Sequence, residues 1–140
     1  MRGVQRVGVI HANREVLFEE HLAEVFLTHD LWEEDRGEFA QIAYREEIRH
    51  LAFLEIRKGF TRGRHYHEKK EEVFYVIRGK LKGRFVDMDT AQEVEKFFER
   101  GDKIRIKPRC GHLFYGLEDA LVVEYSPQVY EEGDNYKIDF

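Results

Sequence analysis

The stretch from residue 59 to residue 79, GFTRGRHYHEKKEEVFYVIRG, decides the fold. Within it His65 and His67 stand one residue apart, and a pair of glutamates follows. Side chains alternate between the two faces of a β-strand, so we expect both histidines to point the same way. Two imidazoles about 7 Å apart along one strand can converge on a single ion. The stretch therefore predicts a strand that carries two ligands.

Two further ligands follow the histidine pair in the sequence. Glu72 opens the apolar run VFYVI, and Glu71 beside it is the competing carboxylate. We prefer Glu72, because on a strand it shares a face with Phe74 and Val76. His112 follows GDKIRIKPRCG, a second run bracketed by glycines. Three imidazoles and one carboxylate suit one divalent transition metal (Zn, Mn, Fe, Co or Ni) and leave positions open for water or substrate.

Alternatives to a metal site stay open. A histidine beside acidic residues is often a solvated surface group, and histidines in an empty barrel can act in catalysis or simply form hydrogen bonds. The joint spacing of the four residues favours a metal site over these alternatives. Cys110 lies two residues before His112, but Gly111 makes a turn there as reasonable as a strand. We therefore leave Cys110 out of the ligand set.

Composition restricts the class of protein. The 140 residues suffice for one domain, with 42% hydrophobic and 36% charged residues. The net charge of −5 argues against nucleic acid or an anionic membrane as a partner. A single cysteine excludes an internal disulfide framework, and no run approaches the roughly 18 apolar residues of a membrane span. We expect a cytoplasmic protein that binds a small molecule.

Short β-rich runs separated by turn residues dominate the chain from residue 38 onward. Many short strands without alternating helices predict an antiparallel sandwich or barrel. The earlier segment REVLFEEHLAEVFLTHDLW is ambiguous, because Phe18, Leu22 and Val25 have helical spacing while AEVFLTHDL also fits a strand. The predicted strands are EFAQIAY, RHLAFLEIR, EEVFYVIR, KLKGRFVDM, AQEVEKFF, DKIRIK, HLFYGL and ALVVEY.

The stretches GFTRGRHYHEKKEEVFYVIRG and GDKIRIKPRCGH resemble the two motifs of the cupin superfamily. The resemblance implies an all-β jelly roll, or double-stranded β-helix, over residues 36–125, with the four ligands inside one end. Residues 1–35 then form an N-terminal extension, in which a short helix is one alternative. Residues 126–140 form a C-terminal tail packed on the barrel.

A narrower resemblance links EDRGEF, TRGRHYH and FVDMDT to the sugar-nucleotide cupins. That branch contains 4-keto-hexose 3,5-epimerases, 3,4-ketoisomerases and cupin domains of capsule-sugar enzymes. It implies that Arg36 and Arg62 bind the substrate, and that the N-terminal extension crosses to the partner in a homodimer. In the metal-free epimerases the histidine matching His65 is a catalytic base. Here the ligand set is complete, and a metal-bound His65 cannot also be the free base.

Three functions follow from these expectations. The first is a metal-dependent isomerase or epimerase that acts beside a carbonyl of a sugar or sugar nucleotide during polysaccharide biosynthesis. The alternatives are an Fe(II)-dependent dioxygenase and a non-enzymatic cupin that binds a small ligand. The first function needs a separate base. The candidates are His50, Tyr66 and Tyr125, with Tyr115 and Glu55 as further options.

Overall fold

Strands build this fold. The computed structural model describes residues 5–9, 15–19, 22–27 and 30–140. Within these ranges there is no helix, and so none that could cross a bilayer. The strands are β1 (Gln5–Val9), β2 (Glu15–Val16), β3 (Ala23–Leu27), β4 (Asp30–Glu34), β5 (Gly37–Gln41), β6 (His50–Ile56), β7 (Thr61–Tyr66), β8 (Glu72–Arg78), β9 (Lys80–Asp87), β10 (Glu93–Glu99), β11 (Asp102–Ile106), β12 (Cys110–Gly116), β13 (Ala120–Ser126) and β14 (Tyr136–Lys137).

Two antiparallel sheets form the jelly roll. One has the strand order β2-β3-β11-β8-β13-β6, and the other has the order β10-β9-β12-β7-β14. A smaller sheet, β1-β4-β5, lies in the N-terminal part of the chain. Gly79 joins β8 to β9 with a φ of +89°, where a Cβ atom would overlap the main chain of Asp119 and Ala120. The predicted all-β jelly roll is confirmed.

Aromatic side chains fill the core between the two sheets. Phe74 of β8 packs edge to face on Phe114 of β12, with ring centroids 5.2 Å apart. Phe85 and Phe98 complete the cluster against Phe114. The ring of His112 lies 6.1 Å from that of Phe74. The predicted histidine cluster therefore adjoins the rigid aromatic core, which limits the movement of its side chains.

The described part of the N-terminal segment adopts the strand alternative. Strand β3 pairs with β11, with Val25 opposite Ile104, and Phe18 and Leu22 are buried in the core. Pairing with a sheet overrides the helical spacing, because the strand buries these apolar side chains and satisfies its main chain at once. Part of the predicted dimer arm, including residues 1–4 and 10–14, lies outside the described residues.

The C-terminal tail folds back onto the barrel. Strand β14 pairs with β7, with Tyr136 opposite Tyr66, and the two rings stack with centroids 5.1 Å apart. The amide of Ile138 donates a hydrogen bond to the carbonyl of Arg64. The tail thereby reaches the strand that carries the first histidine of the motif.

Candidate metal centre

Neighbouring strands bring the four predicted ligands together. His65 on β7 stands opposite His112 on β12 in the five-stranded sheet, and His67 follows directly after β7. Glu72 opens β8 in the facing sheet. One ligand atom from each of the four residues lies within 4.8 Å of the others. The geometry is that expected of a metal site, and metal binding itself stays a prediction.

Main-chain carbonyls fix the orientation of two of the imidazoles. The Nδ1 atom of His67 lies 2.5 Å from the carbonyl oxygen of Asp134, and that of His112 lies 3.1 Å from the carbonyl oxygen of Cys110. A carbonyl only accepts hydrogen bonds, so each Nδ1 carries the proton. The Nε2 atoms are then left to face the cluster, which is the orientation that histidine ligands of metals adopt.

The atoms at the centre of the cluster lack hydrogen bonds. Nε2 of His67 lies 2.8 Å from Oε1 of Glu72, and Nε2 of His112 lies 3.2 Å from the same oxygen. These distances are short, yet among the described residues none of the three buried atoms has a hydrogen-bond partner. With the proton on Nδ1, each Nε2 atom is an acceptor, and so is the carboxylate oxygen that it faces. Unpaired buried polar atoms are costly. A cation held between them would satisfy all three, so the residues fit a divalent metal.

The electrostatics favour the metal-binding protonation states of Glu72 and His65, whereas those at His67 favour its protonated form. Burial alone would raise the pKa of Glu72, but the three imidazoles hold it well below its ordinary value. Burial lowers the pKa of His65. Burial also opposes charge on His67, although Glu72 and the carbonyl of Asp134 raise its pKa overall. An anionic carboxylate and a neutral imidazole are the metal-binding forms of these side chains.

Glu71, the competing carboxylate, faces away from the cluster. Its Oε1 atom lies 2.5 Å from Nη1 of Arg105, and its Oε2 atom lies 3.5 Å from Nζ of Lys107. Strand alternation places Glu71 and Glu72 on opposite faces of the sheet, as expected. Cys110 is buried, and burial followed by the charge of Asp87 raises the pKa of its thiol to about 12. Such a thiol stays protonated, which agrees with its exclusion from the ligand set.

A cavity of about 550 Å³ opens above the four residues. Its size lies within the usual range for small-molecule sites. Apolar side chains such as Leu54 and Phe114 line part of it. The polar side chains that line it, apart from the predicted ligands, include His50, Arg62, Lys70, Glu124, Tyr130 and Asn135.

Three of these polar residues form a second cluster beside the first. Nε2 of His50 lies 3.5 Å from Oε1 of Glu124, and Nζ of Lys70 lies 3.6 Å from the same oxygen. Burial, and then the charge of Glu72, raises the pKa of Glu124. Of the three, only His50 is predicted from the sequence as a site residue. No spacing signal links Lys70 to Glu124, because the pairing of β8 with the distant strand β13 brings the two residues together.

The other predicted site residues differ in their placement. His50 and Arg62 line the cavity, and Nε of Arg62 donates a hydrogen bond to the carbonyl of Glu55. Tyr66 and Tyr125 do not line it. Tyr66 stacks on the tail, and the hydroxyl of Tyr125 donates to a carboxylate on the outer face of the sheet. We therefore retain His50 as the candidate base.

Arg36 is exposed and does not line the described cavity. Its contact with a substrate stays a prediction. Of the two further options for the base, Tyr115 lies outside the cavity and beneath Lys82. Glu55 likewise does not line it.

Asp134 is a structural determinant of the site that the sequence did not reveal. Its carboxylate accepts hydrogen bonds from the main-chain amides of Glu68, Lys69 and Lys70, at 2.7 to 3.3 Å. Its carbonyl accepts a hydrogen bond from Nδ1 of His67. The only sequence signal is a turn-forming GDN triplet in the tail, and nothing local indicates its distant partners.

Two facing antiparallel sheets, with histidines on β7 and β12 and a glutamate at the start of β8, define a cupin jelly roll. A family model described as the polysaccharide biosynthesis C-terminal domain matches residues 32–119, and the chain belongs to this family.

Individual relatives are more distant. A UDP-2-acetamido-2,6-β-L-arabino-hexul-4-ose reductase of Pseudomonas aeruginosa is 28% identical over 107 residues, which are 72% of this chain and 29% of that protein. The chain thus spans less than a third of this curated relative.

Solved structures share the fold at low sequence identity. A dTDP-4-dehydrorhamnose 3,5-epimerase of Sulfolobus tokodaii is 18% identical, with a TM-score of 0.79 over 95% of this chain and 84% of that one. A 3,4-ketoisomerase of Thermoanaerobacterium thermosaccharolyticum, solved with TDP-4-keto-6-deoxyglucose, is 16% identical. The match covers 81% of this chain and 86% of the ketoisomerase, with a TM-score of 0.71. At these identities the likeness establishes the fold alone.

Proposed function

We propose that the chain is a metal-binding isomerase or epimerase that moves a proton beside the carbonyl of a sugar nucleotide. One observation carries the proposal, namely that His50 and Glu124 line the same cavity as the four-residue ligand cluster. Relatives support the substrate class. One is a reductase named for a UDP-linked hexul-4-ose, and the solved structures include an enzyme holding a TDP-linked keto sugar.

His65, His67, Glu72 and His112 would hold the metal. When bound, a divalent ion supplies a Lewis acid that polarises a carbonyl oxygen. The ligand atoms of the four residues face a common point, and the tautomers of two are fixed by main-chain carbonyls. This pre-organisation reduces the cost of assembling the site when the metal arrives.

His50 is positioned to move the proton. With Nε2 facing Glu124 at 3.5 Å, Nδ1 is left to accept a proton from the carbon beside the substrate carbonyl. The carboxylate of Glu124 orients the ring and stabilises the imidazolium that forms. Delivery of a proton from solvent to the opposite face of that carbon gives an epimer. Delivery to the former carbonyl carbon gives a keto isomer when the neighbouring hydroxyl group loses its proton to become the new carbonyl and the enolate oxygen gains one.

Apolar walls support proton transfer. Leu54, Phe74 and Phe114 line the cavity and make part of its wall apolar. Charges act over longer distances in such surroundings than in bulk water, so Glu124 and its neighbours influence a reacting group strongly.

Proton exchange with solvent tests the proposal. The metal-loaded protein is incubated in D₂O with dTDP-4-keto-6-deoxyglucose or its UDP-linked N-acetyl counterpart, and loss of the proton beside the carbonyl is followed by NMR. We expect exchange with the wild type and a loss of about 100-fold or more in His50→Gln. Arg57→Gln, which changes an exposed residue outside the cavity, should exchange at the wild-type rate.

Two results would contradict the proposal in distinct ways. Oxygen consumption by the Fe(II)-loaded protein, without exchange, would identify a dioxygenase instead. Tight binding of a sugar nucleotide without exchange or turnover would identify a non-enzymatic binding protein.

A further inference from the structure

Lys70 is a buried cation at the edge of the candidate active site. Its side chain is 7% exposed, whereas that of Lys69 next to it is 75% exposed and pairs with Glu131 at the surface. Removing an ammonium group from water is costly unless other groups compensate. The turn after β7 nevertheless directs Lys70 inward and Lys69 outward. Hydrogen bonds from the amides of both residues to Asp134 fix this turn.

Acidic and aromatic groups surround the ammonium, and within the described part of the chain they lie too far from it to form hydrogen bonds. The nearest carboxylate oxygens are Oε1 of Glu124 at 3.6 Å and Oε2 of Glu72 at 3.9 Å. Both distances exceed those of a hydrogen bond. The ring of Tyr130 lies 5.6 Å from Nζ and provides a cation–π contact. The charge is thus compensated, while the N–H groups keep their capacity to bind an oxygen in the cavity.

We infer that Lys70 is a catalytic residue whose ammonium donates a hydrogen bond to the substrate oxygen that becomes negative during proton transfer. The inference rests on the proposed function. When His50 takes the proton, the electron pair of the C–H bond forms a carbon–carbon double bond. The π pair of the carbonyl then moves to its oxygen, where Lys70 compensates the charge. Return of the proton to carbon reverses these shifts, so no oxidant or reductant is needed.

Lys70 and Glu124 therefore have complementary tasks. Glu124 lies within 3.6 Å of both His50 and Lys70, so one carboxylate holds the proton acceptor and the hydrogen-bond donor in a fixed relation. A donor aimed at developing negative charge lowers the barrier more than it strengthens ground-state binding. The charge of Lys70 belongs to the chain itself, so the donor is present with or without a metal.

A substitution of Lys70 separates this role from that of a counter-ion to Glu72. The probe is deuterium exchange into dTDP-4-keto-6-deoxyglucose, measured with the matched variants Lys70→Met and Lys69→Met. We expect Lys70→Met to lower kcat for exchange by about 100-fold or more, with KM changed by less than about threefold. Metal content per chain and binding of TDP should stay at wild-type levels. Lys69→Met should resemble the wild type in every measurement.

A second variant guards against a folding defect in Lys70→Met. Lys70→Gln keeps a polar group in the cavity without the charge, and we expect the same loss of kcat. Lys70→Arg keeps the positive charge in a bulkier group, so it should retain part of the activity that Lys70→Met and Lys70→Gln lose.

Three results would overturn the inference. Exchange by Lys70→Met and Lys70→Gln at the wild-type rate would show that Lys70 does not contact the reacting oxygen. Loss of metal in these variants would show that it positions Glu72 instead. Failure of the wild type to exchange any keto sugar nucleotide would remove the proposed function, and with it the role of Lys70, before any variant is compared.

Discussion

Asp134 holds His67 through its main chain and the adjoining turn through its side chain. The carbonyl accepts a hydrogen bond from Nδ1 of His67 at 2.5 Å, and the carboxylate accepts hydrogen bonds from three consecutive main-chain amides. The residue is buried, and the bound amides lower the pKa of its carboxyl group although burial alone would raise it. One residue of the C-terminal tail thus orients the predicted metal ligand His67, which lies 67 positions earlier in the chain.

Replacement of Asp134 should weaken both folding and metal binding. Asp134→Ala leaves three amides of the turn without their acceptor, at a cost of about 1–3 kcal/mol in the free energy of unfolding. Displacement of the tail would release His67 and lower the affinity for Zn²⁺ by about 10- to 100-fold. Urea unfolding and competition with a chelating dye measure the two effects.

Asp139→Ala is the matched control for this prediction, because Asp139 is an exposed acidic residue of the same tail. It should change neither quantity. Asp134→Asn keeps one carboxamide oxygen as an acceptor, so it should lie between the wild type and Asp134→Ala. An alanine variant with unchanged Zn²⁺ affinity would mean that the carbonyl of residue 134 holds His67 without help from its side chain.

Removal of the metal should destabilise the wild type and leave His67→Ala unaffected. We expect about one divalent ion per wild-type chain by elemental analysis and almost none in the variant. When the free ion concentration is 1,000 times Kd, binding adds about 4 kcal/mol to the free energy of unfolding. EDTA should therefore lower Tm in the wild type alone.

His50→Ala provides the comparison within the same cavity. His50 lines the cavity but is not one of the four clustered residues, so this variant should keep its metal and its response to EDTA. Full metal occupancy in His67→Ala would contradict the four-ligand site. Loss of metal in His50→Ala would add a fifth residue to it.

Acid should remove a stabilising contribution from Glu46. Its carboxylate accepts hydrogen bonds from Lys103, Arg105 and Tyr125 on the outer face of the six-stranded sheet. Burial alone would raise the pKa of Glu46, but these three groups hold it below the ordinary value of 4.5. The folded state therefore binds the proton less readily than the unfolded state. The contribution is complete above pH 4.5 and disappears as the pH falls through the lowered pKa.

Urea unfolding at a series of pH values checks this direction. The difference in the free energy of unfolding between the wild type and Glu46→Gln should be largest near neutral pH and should shrink below pH 4.5. Glu47→Gln is the control, since Glu47 pairs with Arg49 at the surface and its side chain is 62% exposed. A constant difference between wild type and Glu46→Gln across this range would show that the Glu46 pKa is not lowered.

Local spacing was sufficient to predict which four residues cluster, because strand alternation and short turns determine where they point. His65 and Glu72 reach the same point from facing sheets, and Glu71 falls on the opposite face by the same alternation. Apart from β7 and β14, the strands from β5 onward coincide with the apolar runs predicted as strands. The jelly roll itself came from the resemblance, since periodicity alone indicated only a sandwich or a barrel.

Long-range contacts were not predictable in this way. The roles of Lys70, Glu124 and Asp134 depend on which strands and tail residues become neighbours in the folded chain. A buried lysine in a stretch as charged as HEKKEE resembles surface polarity until the turn that directs it inward is known. The sequence left the N-terminal segment open between helix and strand for a related reason, because the pairing of β3 with β11 decides between them.

The chain should form a homodimer, and the structure offers a surface for it. Strand β6 lies at the edge of the six-stranded sheet, where Leu51 is 67% exposed and Phe53 is 71% exposed. An apolar edge strand tends to pair with another chain unless it is covered. A second copy related by a twofold axis would cover both β6 strands at once. We expect sedimentation velocity to show a dimer at micromolar concentration and Phe53→Lys to shift it toward monomer.

Phe97→Lys is the matched control, because Phe97 is 69% exposed on β10, an edge strand of the other sheet. Glu95 and Glu99 flank Phe97 on the same exposed face, and charges of this kind protect a sheet edge from pairing. The control should therefore stay dimeric. A monomeric wild type that still binds metal would exclude the dimer. A dimer that survives Phe53→Lys but dissociates on deletion of residues 1–14 would place the interface on the N-terminal extension instead of β6.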